Sequence, residues 1–352
     1  YSEPDNLDYP FRVPGMSYQN YSATDFSLFG SMDQGVVHNV LALPNKSGSY
    51  LIRAGFSIKR AEDNQIIFRL DQDSLLISSN LWSVKGENEI IVNHFSDFYG
   101  NIHIDDGQQS LRIVAQDSLY KVDIADFQLI NLSNLLQNFY PDIDISGELD
   151  FKSDIVTNDE TLKVSAGVSL KEFNFQKPYY GDITIEAANF GPNNVKGKIV
   201  LENGGNILSI EGDYNLNKNT SPLTAIAKID FNDLEKFNSF GKGFIKDPSG
   251  QIKGRISLEG DKNKINTHGN LDFNSVEILL TPVNNKYRIE NESLTVKNNT
   301  IQFQDFKFLD SANQEFIING TRVSWRGEQI VMGCFYIFGT IFFTVYGKVV
   351  HE

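Results

Sequence analysis

The sequence predicts an all-β protein built on an elongated antiparallel sheet, with a few short helical turns. Two observations carry this. Apolar and polar residues alternate with period two through most of the chain, so each strand has one apolar and one polar face. Clusters of Asn, Asp and Gly interrupt that alternation roughly every 10 to 14 residues, the spacing of an antiparallel meander.

The first stretch, residues 1–125, is β-rich but irregular, and Pro4, Pro10, Pro14 and Gly15 predict a loose start. The clearest alternation follows. Val164, Ala166, Val168 and Leu170 share one face, against Ser165, Gly167, Ser169 and Lys171 on the other. Ile183 and Ile185 continue the apolar series, then Val195, Ile199 and Leu201, then Leu208, Ile210, Tyr214 and Leu216. Leu223, Ala225, Ala227, Ile229 and Phe231 make the next run. Ile252, Ile256 and Leu258 precede Leu271 and Phe273. Ile301 and Phe303 form one run, and Phe306 and Phe308 take up the next phase after an expected bulge. One-sided strands of this kind reserve one face for a core or ligand and one for water.

Asn203-Gly204-Gly205-Asn206 predicts a tight hairpin; Asp105-Asp106-Gly107, Gly260-Asp261-Lys262-Asn263 and Asn284-Asn285 predict further turns. Two segments predict short helices: 131–139, with Leu132, Leu135 and Leu136, and 232–239, with Leu234 and Phe237. They expose an internal repeat. Val122, Ile124, Phe127 and Leu129 lead through the first segment to Ile145-Ser146-Gly147-Glu148-Leu149. Ala227, Ile229 and Phe231 lead through the second to Ser249-Gly250-Gln251-Ile252. The offset is about 100 residues, a multi-strand unit able to stack edge to edge. The expected division is 1–125, repeat units 126–228 and 229–321, and an atypical apolar tail, 322–352.

Composition removes several function classes. Lys and Arg number 31 against 45 Asp and Glu, a net charge of −14, which argues against a nucleic-acid surface. A single cysteine excludes an internal disulfide or a cysteine zinc cluster, and five histidines leave little for a metal site. His94 with Asp97, and His103 with Asp105 and Asp106, offer metal-ligand types, but Asp105-Asp106-Gly107 is an ordinary turn. Gly241-Lys242-Gly243 lacks the strand-to-helix setting of a phosphate loop. Asp142 and Asp144, or Glu148 and Asp150, take no acid–base role without geometry. With no nucleophile elbow, the chain is expected to be non-catalytic, with no metal and no cofactor.

The order Gly250-Gln-Ile252-Lys-Gly254-Arg-Ile256-Ser-Leu258-Glu-Gly260, then His268-Gly269-Asn-Leu271-Asp-Phe273, carries a resemblance. It continues through Tyr287-Arg-Ile289, Leu294-Thr-Val296, Ile301-Gln-Phe303-Gln-Asp-Phe306-Lys-Phe308 and Phe316-Ile-Ile318-Asn-Gly320. Residues 110–321 resemble TamB-like proteins, the translocation and assembly module family related to AsmA-like envelope proteins, in the wording of Bacteroidota-type members. The resemblance implies a sheet folded along its length into a taco-like trough with an apolar interior. It implies an inner-membrane-anchored protein of the periplasm that moves a phospholipid or other envelope lipid towards the outer membrane, in some members with an Omp85-type barrel. The chain begins at Tyr1 and lacks the family's anchor, so an internal or truncated segment is expected, with membrane contact through other parts.

An acyl chain needs a continuous apolar lining without buried charge. The expected lining is Val164, Ala166, Val168, Leu170, Ile183, Ile185, Ile199, Leu201, Leu208, Ile210, Ile252, Ile256, Leu258, Leu271, Phe273, Ile301, Phe303, Phe306 and Phe308. The same residues suit the packed core of a secreted or surface β-sandwich that binds or cleaves glycans, or of a filled adhesin-like repeat. The last segment, Ile330 to Tyr346 around Cys334, is an uncharged run of about 17 residues. It reads as a short membrane helix, as one or two apolar strands, or as an altered terminus of the gene.

Overall fold

Period-two patterning becomes antiparallel strand nearly everywhere, and the fold class is all-β. The computed structural model describes residues 6–18, 21–44, 49–61, 65–72, 75–86, 88–93, 97–116, 118–137, 140, 142–158, 161–176, 179–217, 222–241, 245–261, 264–318 and 323–324. The run Ile330 to Tyr346, His94 and the Lys242-Gly243 pair lie outside the described residues. Two compact units divide the chain, Tyr1–Gln176 and Lys177–Glu352.

The first unit opens with β1 (Asn6–Tyr18), β2 (Tyr21–Asp33), β3 (Val36–Pro44) and β4 (Tyr50–Arg60), each paired antiparallel with the next. The expected loose start is a 13-residue strand that includes Pro10 and Pro14. Two prolines of the same parity direct their donor-less nitrogens to one side, and β1 pairs only with β2 among the described residues.

Beyond β4 the sheet splits. β5 (Ile66–Leu70) pairs with β4 and then with β8 (Glu89–Asn93), while β6 (Leu75–Ile77) pairs with β4 and then with β7 (Asn80–Val84). Both branches rejoin on β9 (Asp97–Asp105). From there β10 (Ser110–Gln116), β11 (Leu119–Gln128), β12 (Ile145–Asn158) and β13 (Thr161–Phe175) form a regular meander. The short helix α1 (Leu129–Leu136) sits between β11 and β12. A buried cluster of Leu75, Trp82, Val84, Ile102 and Ile104 fills the unit where the branches meet.

The second unit runs β14 (Tyr179–Asn189), β15 (Asn194–Asn203), β16 (Asn206–Asn215), β17 (Leu223–Phe231), β18 (Ile245–Gly260), β19 (Ile265–Leu280) and β20 (Asn285–Lys297), all antiparallel neighbours. A 3-10 helix, Leu234–Gly241, joins β17 to β18. β20 carries β21 (Thr300–Gln302) on one half and β22 (Phe306–Asp310) on the other, followed by β23 (Glu315–Ile318) and β24 (Val323–Ser324). The expected bulge between Phe303 and Phe306 is thus a full strand break, with Asp305 in the left-handed region at φ 49°. Asn203 pairs with Asn206 across Gly204 (φ 57°) and Gly205 (φ 89°), the two-residue hairpin turn with both central φ positive.

One local arrangement occurs in both units. In both units a strand runs into a helical turn and back into a strand whose Ser-Gly pair breaks the register: Ser146-Gly147 in β12 and Ser249-Gly250 in β18. Gly147 (φ 122°) and Gly250 (φ 92°) each bring their backbone against the neighbouring strand. A side chain at Gly250 would begin 2.2 Å from the Ser275 carbonyl oxygen, and one at Gly147 2.7 Å from that of Lys171. Both sites therefore demand glycine.

The helical turns differ in what they bury. Leu234 and Phe237 enter the core, as their spacing predicts. In α1, Leu132 is 38% exposed while Asn131 and Ser133 are buried. The apolar-face expectation fails there because α1 docks on strand ends whose backbone donors need partners. Ser133 Oγ accepts the Ile145 N–H at 3.2 Å, and Asn131 Nδ2 donates to Gln109 Oε1 at 2.9 Å.

Candidate functional site

In the second unit, alternation and register put the apolar residues of neighbouring strands side by side. Four transverse rows of one face are legible across β14 to β17. Ile183, Leu201, Leu208 and Ile229 form the first by successive pairing. Ile185, Ile199, Ile210 and Ala227 form the second, and Asn189, Val195, Tyr214 and Leu223 the outermost. Between the second and the outermost lies a row of minimal side chains: Ala187, Gly197, Gly212 and Ala225.

Same-face residues along a strand are about 6.8 Å apart, so the flanking rows stand about 13 Å apart at their Cα atoms. The floor between them is backbone and methyl groups, and its long axis crosses the strands. Its walls are half-open: Ile185 is 38% exposed, Ile199 36% and Tyr214 41%. Gly212 keeps the floor flat, since a Cβ there would lie 2.4 Å from the Ala225 Cβ. Gly197 has more room, its nearest contact being the Glu186 carbonyl oxygen at 3.7 Å.

The face closes further along the same unit. Ile229, Phe231, Ile252, Leu271, Phe273, Ile301, Phe303, Phe306 and Phe308 belong to one buried cluster, with Leu208 and Ile256 packed against it. Ring contacts tie it together: Phe231 to Phe237 at 4.8 Å, Phe273 to Phe306 at 5.7 Å and Tyr287 to Phe308 at 5.5 Å. Of the expected lining residues from β18 onward, Ile252, Leu271, Phe273, Ile301, Phe303, Phe306 and Phe308 are therefore core, while Ile256 is half-buried against them. Those of β14 to β16 are half-buried or exposed, and Leu258 is half-buried.

In the first unit Val164, Ala166, Val168 and Leu170 are half-buried on β13 and stand opposite Ile155, Ser153, Phe151 and Leu149 of β12. The same face continues through Ile124 and Val122 of β11 to Leu111 and Ile113 of β10; the last two carry no expectation from the sequence. Trp82 was missed as well. It is 1% exposed, its ring lies 6.4 Å from that of Phe127, and its Nε1 has no acceptor among the described residues.

Charges occupy the opposite faces and neutralise one another across strands. Lys196 pairs with Glu211 at 2.8 Å, which raises the lysine pKa and lowers that of the glutamate. Lys171 bridges Glu148 at 2.5 Å and Asp150 at 3.2 Å, and its pKa is pushed up by those contacts. Asp150 is held below the usual carboxylate range, first by the Asp126 N–H donated to it at 2.9 Å and then by Lys171. Asp126, Glu148 and Asp150 have ligand atoms within 4.8 Å of one another, but Lys171 already balances this group. Asp105 Oδ1 accepts from Gly107 N–H at 3.2 Å and pairs with Lys85 at 3.4 Å, a turn arrangement.

No helix among the described residues is long and apolar enough to cross a membrane. Comparison of the chain with protein-family models, with curated proteins and with solved structures finds no match.

Proposed function

We propose that this chain is a segment of a TamB-like or AsmA-like envelope protein that shields lipid acyl chains on an apolar β-sheet face during transport between membranes or outer-membrane assembly. One observation carries the reading: the floor Ala187–Gly197–Gly212–Ala225 runs across the strands between half-open, uncharged rows that are apolar apart from Asn189. Burying a methylene group is favourable by about 0.8 kcal/mol, so a linear alkyl chain laid along that floor gains with every carbon it covers. No charge lies on the floor or its walls, so the chain meets no uncompensated ion. The role is non-catalytic, and the residues act together as a lining.

The sealed cluster of β17 to β22 favours a second reading for that part, a filled structural repeat without ligand. The two readings divide at β14 to β16. A photoreactive residue at position 199 or 210 is expected to crosslink to acyl lipid in cells, and mass spectrometry of the purified protein to detect that lipid. Gly197→Leu fills the floor where space allows, and Ile199→Asp or Ile210→Asp places a charge in its wall. Each should abolish the crosslink from an unaltered wall position, as should Ile256→Asp if the conduit extends to β18. Unchanged crosslinking in all of these variants, with the fold intact by circular dichroism, would sink the lipid reading.

A further inference from the structure

The floor that crosses β14 to β17 does not continue across β18. Its last residue, Ala225, pairs with Leu258, so a branched side chain stands on the face that until there offers methyl groups and backbone. One strand further the row turns polar at Thr267, the partner of Leu258 on β19. The Thr267 hydroxyl donates to Asn299 Oδ1 at 2.9 Å and accepts the Asn299 N–H at 3.2 Å, which anchors it to the β20–β21 turn. Beside Leu258 on the same face, Ile256 packs against the buried cluster, so the inner wall merges into the core at this strand. The length of the floor follows from the strand count. Adjacent strands lie about 4.8 Å apart, so the Cα atoms of Ala187 and Ala225 mark a floor about 14 Å long. An extended alkyl chain, with bonds of about 1.5 Å at near-tetrahedral angles, advances about 1.25 Å per carbon. The floor therefore holds about a dozen carbons.

We propose that Leu258 is an end stop, which makes the floor a length gauge for one acyl tail of about twelve carbons. The proposal rests on the lipid reading of this same floor and adds which tail it takes. The methyl end lies against Leu258, because a charged headgroup placed there would lose water to an apolar side chain. Each carbon laid on the floor is stabilised by burial. Carbons in excess of the floor gain little, because the row beyond the stop is the anchored hydroxyl of Thr267. Leu258 thus determines specificity without taking part in any chemistry.

The test is isothermal titration of the whole chain with straight-chain saturated fatty acids from eight to eighteen carbons, each below its micelle concentration. Kd should fall about fourfold per added carbon up to about twelve and then level off. Leu258→Ala opens the floor as far as Thr267, one strand further, and should move that break about four carbons longer. Ala225→Leu brings the stop one strand nearer and should move it about four carbons shorter. Ile199→Asp charges the wall and should weaken binding at every length. Circular dichroism checks that the variants fold. A Kd that keeps falling past about sixteen carbons in the wild type, or a break that neither Leu258→Ala nor Ala225→Leu moves, overturns the end stop and leaves the lipid reading standing. No binding at any length, or affinities unaltered by Ile199→Asp, overturns both.

Discussion

The side chain of Asn206 satisfies both backbone groups of Asp233, donating from Nδ2 to the carbonyl oxygen at 2.7 Å and accepting the N–H at Oδ1 at 2.8 Å. It thereby ties the β15–β16 hairpin to the point where β17 leaves the sheet for the 3-10 helix. Gln109 does the equivalent work in the first unit. From the β9–β10 turn its Oε1 accepts the Gln128 N–H at 2.8 Å, at the point where β11 leaves for α1. Asn206 is 0% exposed, so water cannot replace it.

Asn206→Ala leaves two part-buried backbone groups of Asp233 without these partners and should cost about 1–3 kcal/mol of stability. Urea unfolding followed by circular dichroism measures it. Asn206→Asp keeps the acceptor but loses the donor and faces the Asp233 carbonyl with a charge, so it should destabilise at least as much. A midpoint equal to that of the wild type in both variants would show that the clamp contributes nothing.

Gly250→Ala should destabilise by at least about 1 kcal/mol, because the added methyl meets the Ser275 carbonyl oxygen and the residue is held at positive φ. Gly147→Ala should behave alike, as the same position of the repeat. Gly197→Leu, at an open site on the apolar face, should unfold close to wild type. Thermal melts of the three variants give the ordering directly.

Trp82→Ala should cost about 3–5 kcal/mol, the usual loss for a large buried aromatic. Trp82→Phe should cost much less, because it also removes an indole N–H that has no acceptor among the described residues. Equal losses in the two variants would point to the indole nitrogen making a bond.

The Asp150 carboxylate has a lowered pKa in the folded chain, caused first by the Asp126 N–H and then by Lys171. A depressed folded pKa contributes stability above the unfolded value of about 3.9, and that contribution disappears as pH falls through the folded value. Acid should therefore weaken the first unit below about pH 4. Asp150→Asn should flatten that part of the stability–pH curve while leaving the slope from other carboxylates. An unchanged slope in Asp150→Asn would remove this carboxylate from the acid response.

Local patterning was enough to identify the strands from Val164 onward, the Asn203–Asn206 hairpin and the two helical connections, because period two and turn chemistry depend on neighbours a few residues apart. The strands before β10, with their prolines and branched pairing, were legible only as β-rich. The repeat was visible in the same way, through Ser146-Gly147 and Ser249-Gly250. Alternation also assigned Ile199 and Phe273 to the same kind of face. Their different fates, Ile199 36% exposed and Phe273 3%, were decided by the tertiary structure. Burial depends on what lies above a face, and over Phe273 the Phe306 ring and the rest of its cluster close in. Register decided the rest. Ala187, Gly197, Gly212 and Ala225 are unremarkable small residues in four separate segments, and only strand pairing lines them up. The polar buried side of α1 escaped pattern reading for a related reason: its partners, Gln109 and Ile145, are distant donors and acceptors that no helical period encodes.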